Sequence, residues 1–148
     1  MPFELWSVVV VPFPFVDPWA SRLRPALVVS EPRSLGNLAG LSVLAMITSA
    51  THSPWPLDVS ITDLASAGLP APAIVRMKLF TLDDRLVERT AGALAPPDSA
   101  AVAASLARLI GGSVPASPAS LPVAEAQTPP RAPTRTRRRS HPGSRRQA

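Results

Sequence analysis

Val8-Val9-Val10-Val11 is β-branched throughout, the pattern of a buried strand, and Pro12-Phe13-Pro14-Phe15 closes it because proline cannot donate to a central ladder. Asp17 to Ser21 reads as a loop. Pro25 to Ser30 is a second apolar strand, and Glu31 to Gly40, with Pro32, Gly36, Asn37 and Gly40, is a further loop. Leu41 to Ile47 predicts a third strand, ending at Thr48-Ser49. Leu57, Val59 and Ile61 alternate with polar residues, the mark of a half-buried strand. Ala67 to Pro72 breaks the chain, Ile74 to Leu79 makes a fifth strand, and Leu86 to Leu94 supplies a short sixth. The period then changes. Val102, Leu106, Leu109 and Ile110 form one stripe of an amphipathic helix. Pro97 and Asp98 suit its first turn, and Gly111-Gly112 stop it. Short strands punctuated by Pro and Gly, followed by one helix, indicate a mainly β body built as a small barrel or sandwich.

Composition divides the 148 residues in two. From Ser113 onward Pro, Ala, Ser, Thr and Arg dominate, with no aromatic residue, so the segment buries too little apolar surface to offset its ordering entropy. The expected organisation is one globular domain over residues 1–112 and a disordered tail over 113–148. The tail carries seven Arg against the single Glu125, whereas the other 112 residues carry eight basic and nine acidic side chains. The net charge of +5 therefore belongs to the tail, and it does not mark the body as a basic nucleic-acid binder. The tail reads either as a solvated extension or as a polycation adding salt-sensitive RNA affinity. The start of the chain lacks the cationic segment of an export signal, and no stretch approaches the roughly 20 apolar residues of a membrane span, so a soluble, cytoplasmic protein is expected.

Several chemistries are disfavoured at once. There is no cysteine, no GxGxxG or GxxxxGK phosphate loop and no GxSxG elbow. Asp83 and Asp84 are adjacent, would face opposite sides of a strand, and make a poor metal pair. Of the two histidines, His141 lies in the tail and His52 reads as an ordinary surface loop residue. Arg24 and Thr48 remain. Arg24 stands directly before the second strand and Thr48 directly after the third. If those strands are antiparallel neighbours, a fixed cation and a hydroxyl meet at one rim of the sheet. Arginine offers a planar fork matching phosphate oxygens, and a threonine hydroxyl can bond the same oxygens. Spacing alone favours the plainer reading, a surface Arg and a strand-terminal Thr.

The ordered pieces carry more. Val8 to Phe15, Arg24-Pro25-Ala26-Leu27-Val28-Val29-Ser30, Ala45-Met46-Ile47-Thr48-Ser49, Trp55-Pro56-Leu57, Arg76 to Asp83 and the closing helix together resemble the MazF/PemK family of toxins from type II toxin–antitoxin systems. The resemblance implies an SH3-like antiparallel barrel with a C-terminal α-helix. It implies a sequence-selective endoribonuclease for single-stranded RNA, independent of metal and of any cofactor, acting as a homodimer and silenced by a cognate antitoxin. Arg24 and Thr48 match the family's catalytic pair. Attack of the ribose 2′-OH on the adjacent phosphate builds charge that preorganised donors stabilise. Arg24 suits that role; it does not suit general-base duty, since guanidinium stays protonated.

Secondary substrate contacts are expected from Trp19, which can stack on an unpaired base, from Arg22 on a backbone phosphate, from Ser49 beside Thr48, and from Lys78, the only lysine. Alternation puts Arg76 on the same face as Lys78, lining a groove or facing water, and Trp55 is expected in the core or a dimer seam. The chain departs from the family where relatives usually carry Gly-Asp before the first strand: Trp6-Ser7 stands there, removing a carboxylate acceptor. That departure bears on activity more than on fold. Two alternatives share the architecture, a non-enzymatic gyrase-binding poison of the CcdB type and a degenerate relative that binds only antitoxin or RNA.

Overall fold

A computed structural model describes residues 2–13 and 22–111. Trp19, its loop and the basic tail lie outside the described residues. The elements run β1 (Ser7–Phe13), β2 (Arg22–Val28), a π-helical turn (Pro32–Gly36) continuing into α1 (Asn37–Ala39), β3 (Leu41–Ser49), β4 (Val59–Ser60), α2 (Leu64–Ala67), β5 (Ala73–Asp83), a 3₁₀ turn (Asp84–Leu86), β6 (Arg89–Ala93) and α3 (Pro96–Ile110). All six strands join one sheet in the order β4-β5-β3-β2-β1-β6, and every neighbouring pair is antiparallel. The molecule is mainly β, a curled half-barrel closed off by a C-terminal helix.

Successive strand residues point to opposite faces, and both faces of the middle strands are covered. Val8, Leu27, Ala45, Ile47 and Val75 form one core with Val102 of α3. Val9, Val11, Ala26, Val28 and Leu44 form a second, sealed by Phe3, Phe80, Leu82 and Val87. This is why Val8 to Val11 show no polar alternation.

The curl is held by α2. Asp63 caps this helix, accepting from the Ser66 backbone N–H at 2.9 Å and its hydroxyl at 2.8 Å. Its C-terminal end lies against β6, at the far edge of the sheet. A Cβ on Gly92 would stand 2.3 Å from the Ser66 carbonyl oxygen, and one on Gly68 2.1 Å from the Ala91 oxygen. Only glycine permits that approach, and Gly68 also has φ +68°. The buried Asp98 carboxylate fastens α3 to the start of α2. It accepts from the Thr62 N–H (3.0 Å), the Thr62 hydroxyl (2.7 Å) and the Asp63 N–H (3.0 Å). Burial pushes its pKa up, but these bonds outweigh burial and leave it below the ordinary 3.8.

The differences from the sequence expectation have local causes. The Pro-bearing β2 begins at Arg22, three residues before Pro25, so Arg24 lies inside the strand and not ahead of it. Thr48 likewise lies inside β3. The half-buried fourth strand shrinks to two residues. The 31–40 loop folds into helical turns ended by Gly40 at φ +65°. β5 runs eleven residues because a register jump opposite Ala45/Met46 accommodates Met77 and Lys78, which have no partner on β3. Trp6, at the position where the resemblance expects glycine, adopts the glycine-like φ of +71°. Its N–H donates to Val28 O (2.9 Å), its carbonyl accepts from Leu94 N–H (3.0 Å), and its side chain packs on the first core. These contacts offset the strain of a left-handed tryptophan, roughly 1–3 kcal/mol.

Candidate functional site

The site begins with a missing hydrogen bond. Val29 N–H donates across to Val43 O on β3, whereas Val28 O turns the other way and accepts from Trp6 N–H. Backbone direction alternates along a strand, so Leu27 and Pro25 face β3. Pro25 has no N–H to give. The β2–β3 ladder accordingly stops at Ala26↔Met46, while both strands continue past it. Extending that register by two residues sets Arg24 opposite Thr48.

A cavity of about 250 Å³ opens in this gap, bounded by Arg24, Pro25 and residues 47–49 on the sheet side and by residues 69–73 on the other. Arg24 and Thr48 therefore share one cleft, and Ser49 lines it too. Arg24 is half-buried, and its Nε is shielded from solvent with no hydrogen-bond partner among the described residues. An orphaned buried donor is costly unless something external satisfies it. Thr48 is 6% exposed, and its Oγ1 lies 2.8 Å from Nδ1 of His52. A second cavity of about 250 Å³ shares Pro25, Leu69 and Pro70 with the first and extends past Leu23 to Arg89. Arg89 was not singled out by sequence; only the curl of the sheet brings β6 to this trough.

The loop after β3 is built to hold His52. Ser49 Oγ meets Thr51 Oγ1 at 2.9 Å, His52 N–H donates to Ser49 O at 3.2 Å, and Ala50 N–H donates to Pro72 O at 3.1 Å. Behind it Arg76, 7% exposed, donates from Nη2 to Ser53 O at 2.7 Å and forks onto Asp58 at 3.1 and 2.9 Å. Its guanidinium carbon stands 4.5 Å from the centre of the Trp55 ring. The Arg76 hydrogen bonds hold Asp58 below its ordinary 3.8, against the opposing effect of burial. Arg76 is thus neither a groove-lining contact nor solvated. It is a structural cation, and Trp55, half-exposed, covers it instead of filling the core.

The remaining expected contacts scatter. Arg22 is exposed at the start of β2. Lys78 is exposed on the β5 bulge and does not line the Arg24–Thr48 cavity. Asp83 and Asp84 are separately engaged: hydrogen bonds from Arg85 hold Asp83 at about 2, and Asp84 accepts from the Ser42 hydroxyl at 2.6 Å. Among the described residues, no three His, Asp or Glu side chains gather as a metal site, and no helix is long and apolar enough to cross a membrane.

The fold has many solved relatives. An endoribonuclease in complex with its cognate antitoxin, from a mycobacterial species, superposes with TM-score 0.60 at 17% identity, covering 74% of this chain and 95% of that one. A MazE–MazF complex from Deinococcus radiodurans gives 0.59 at 20%, covering 76% and 99%. MazF alone from the same organism gives 0.56 at 26%, covering 75% and 98%. No curated protein matches the chain in sequence. Residues 4–110 match the family of the PemK-like, MazF-like toxin of type II toxin–antitoxin systems. That span takes in the half-barrel, the closing helix and the Pro25 gap, and the chain belongs to this toxin family.

Proposed function

We propose that the protein is the toxin of a toxin–antitoxin pair and acts as a metal-independent endoribonuclease on single-stranded RNA. The observation that carries the reading is the buried, unpartnered Nε of Arg24 in the same cleft as the Thr48 hydroxyl. A phosphodiester seated there satisfies that donor. As the ribose O2′ attacks phosphorus, charge accumulates on the phosphoryl oxygens, and a guanidinium already in place stabilises it without reorganising. Thr48 stands against the same phosphate and fixes its position. RNA is the substrate because the nucleophile is its own 2′-OH. Ser49, lining the cleft, and Arg22, two residues from Arg24 along β2, contact the substrate backbone; Trp19 stacks on a base, and Lys78 supplies a more distant contact. The trough toward Arg89 accommodates the strand beyond the scissile bond.

A homodimer and a cognate antitoxin complete the reading. The relatives solved with antitoxins support the latter. Exposed Leu23 at the trough gives an apolar anchor for a partner segment laid over the RNA path. The test is cleavage of single-stranded RNA in EDTA by the native protein, Arg24→Ala and Thr48→Ala. The native protein cuts and both variants lose most activity. Equal cutting by all three removes the assignment, and inhibition of DNA supercoiling without RNA cutting replaces it with a gyrase poison.

A further inference from the structure

Resting on the nuclease reading above, we propose that His52 is the proton acceptor of the cleavage step, working through the Thr48 hydroxyl. Attack by O2′ requires that its proton leave. Among the described residues, those lining the Arg24–Thr48 cavity include no carboxylate and no imidazole. Arg24 stays protonated. Asp58, the carboxylate behind the loop, is occupied by Arg76 and the Trp55 N–H. Among the described residues, the one basic group touching Thr48 is His52, whose Nδ1 stands 2.8 Å from Thr48 Oγ1, the distance of a hydroxyl–base pair.

The ring is placed for this work. With its proton on Nε2, neutral His52 offers an Nδ1 lone pair to the Thr48 hydroxyl. His52 is exposed whereas Thr48 is buried, so the imidazole connects a shielded hydroxyl to water. The side-chain bonds of Ser49 and Thr51 and the Arg76–Ser53 bond fix the loop on both sides of it. Among the described residues, the charged groups on the elements packed near it are Arg24 in the cleft and the Arg76–Asp58 pair behind the loop.

The step balances. The O2′–P bond forms as the P–O5′ bond breaks. The 2′-hydroxyl proton passes to Thr48 Oγ1 while the Thr48 proton passes to His52 Nδ1. O5′ takes a proton from water, and imidazolium neutralises the hydroxide left behind. The products are a 2′,3′-cyclic phosphate and a 5′-hydroxyl. His52 is thus a positioning and proton-accepting residue that reaches the substrate only through Thr48.

The alternative role for the contact is a plain staple of the 49–53 turn, and the test separates the two. His52→Asn places an amide near the Nδ1 position, so Thr48 keeps a partner that cannot accept a proton. His52→Asn is expected to lower kcat by about 100-fold or more while RNA binding and Tm hold. The pH dependence of the native rate should be altered in His52→Asn. Added imidazole should restore cutting to His52→Gly. Cleavage by His52→Asn within about threefold of native, with the native pH profile, while Arg24→Ala is dead, overturns the proposal and leaves the nuclease reading standing. No rescue of a folded His52→Gly also overturns it. Absence of RNA cutting by the native protein, or full cutting by Arg24→Ala, overturns both.

Discussion

Two arginines stand near the same end of the sheet and do opposite things. Arg76 spends its donors inside the molecule: two on Asp58, one on Ser53 O, with its face under Trp55. Arg24 sits beside a gap in the ladder with a shielded Nε that nothing among the described residues satisfies. The difference is a matter of supplied partners. A guanidinium given a carboxylate in the fold becomes a rivet, and one denied it keeps its charge for an anion from outside. On the proposed reading, the second arrangement is what a phosphodiester-cleaving site requires, at a cost in local stability.

The comparison breaks most visibly at Arg24. Arg24→Gln should lower RNA cleavage by about 10²–10³-fold, the loss expected when one preorganised charge-stabilising donor is removed, with Tm unchanged or raised. Cleavage assays beside thermal melts check both halves. Arg76→Met should show the reverse, a lowered Tm because Asp58 is left without its cation, and a smaller activity loss transmitted through the loop carrying His52. If Arg76→Met abolishes cutting at native Tm, the two arginines are not divided as stated.

Asp98→Ala extends the test to a site with no anion to bind. It strips the acceptor from the Thr62 and Asp63 donors and should cost about 3 kcal/mol in denaturant melts, with kcat intact in the folded fraction. Gly92→Ala forces α2 off β6 and should cost about 2 kcal/mol. The smallest effect is on pH dependence. Asp58 and Asp98 have folded pKa values below their ordinary 3.8. The stability they add is complete above that value and drains as pH falls below it. Asp58→Asn should flatten this acid limb of Tm; an unchanged limb shows that the Arg76 pair contributes nothing there.

Much of the body was legible in the chain. Runs such as Val8 to Val11 and Leu41 to Ile47 name buried strands because β-branched and apolar side chains suit no exposed element, and the Val102–Leu106 stripe with Gly111 bounds the helix. The four-residue α2 escaped, since so short a helix leaves no period and only its Asp63 cap hints at it. In the candidate site, residue type and the neighbouring apolar runs single out Arg24 and Thr48, whereas their sharing one cavity is set by strand pairing. The contact of His52 with Thr48 is not legible in the sequence, because spacing four residues along an irregular loop does not show which atoms meet, and a lone histidine in a polar stretch looks solvated.

Local sequence alone therefore determined which segments extend, where proline and glycine interrupt them, and that Arg24 and Thr48 each adjoin an apolar strand run, because each follows from a residue's own stereochemistry and its immediate neighbours. Tertiary structure decided which arginine is neutralised, which backbone N–H the Pro25 ring removes from the ladder, and that His52 turns back onto Thr48. Those outcomes depend on register and on partners distant in the chain, and a hydrogen bond between two side chains is a property of a shared space that neither residue specifies.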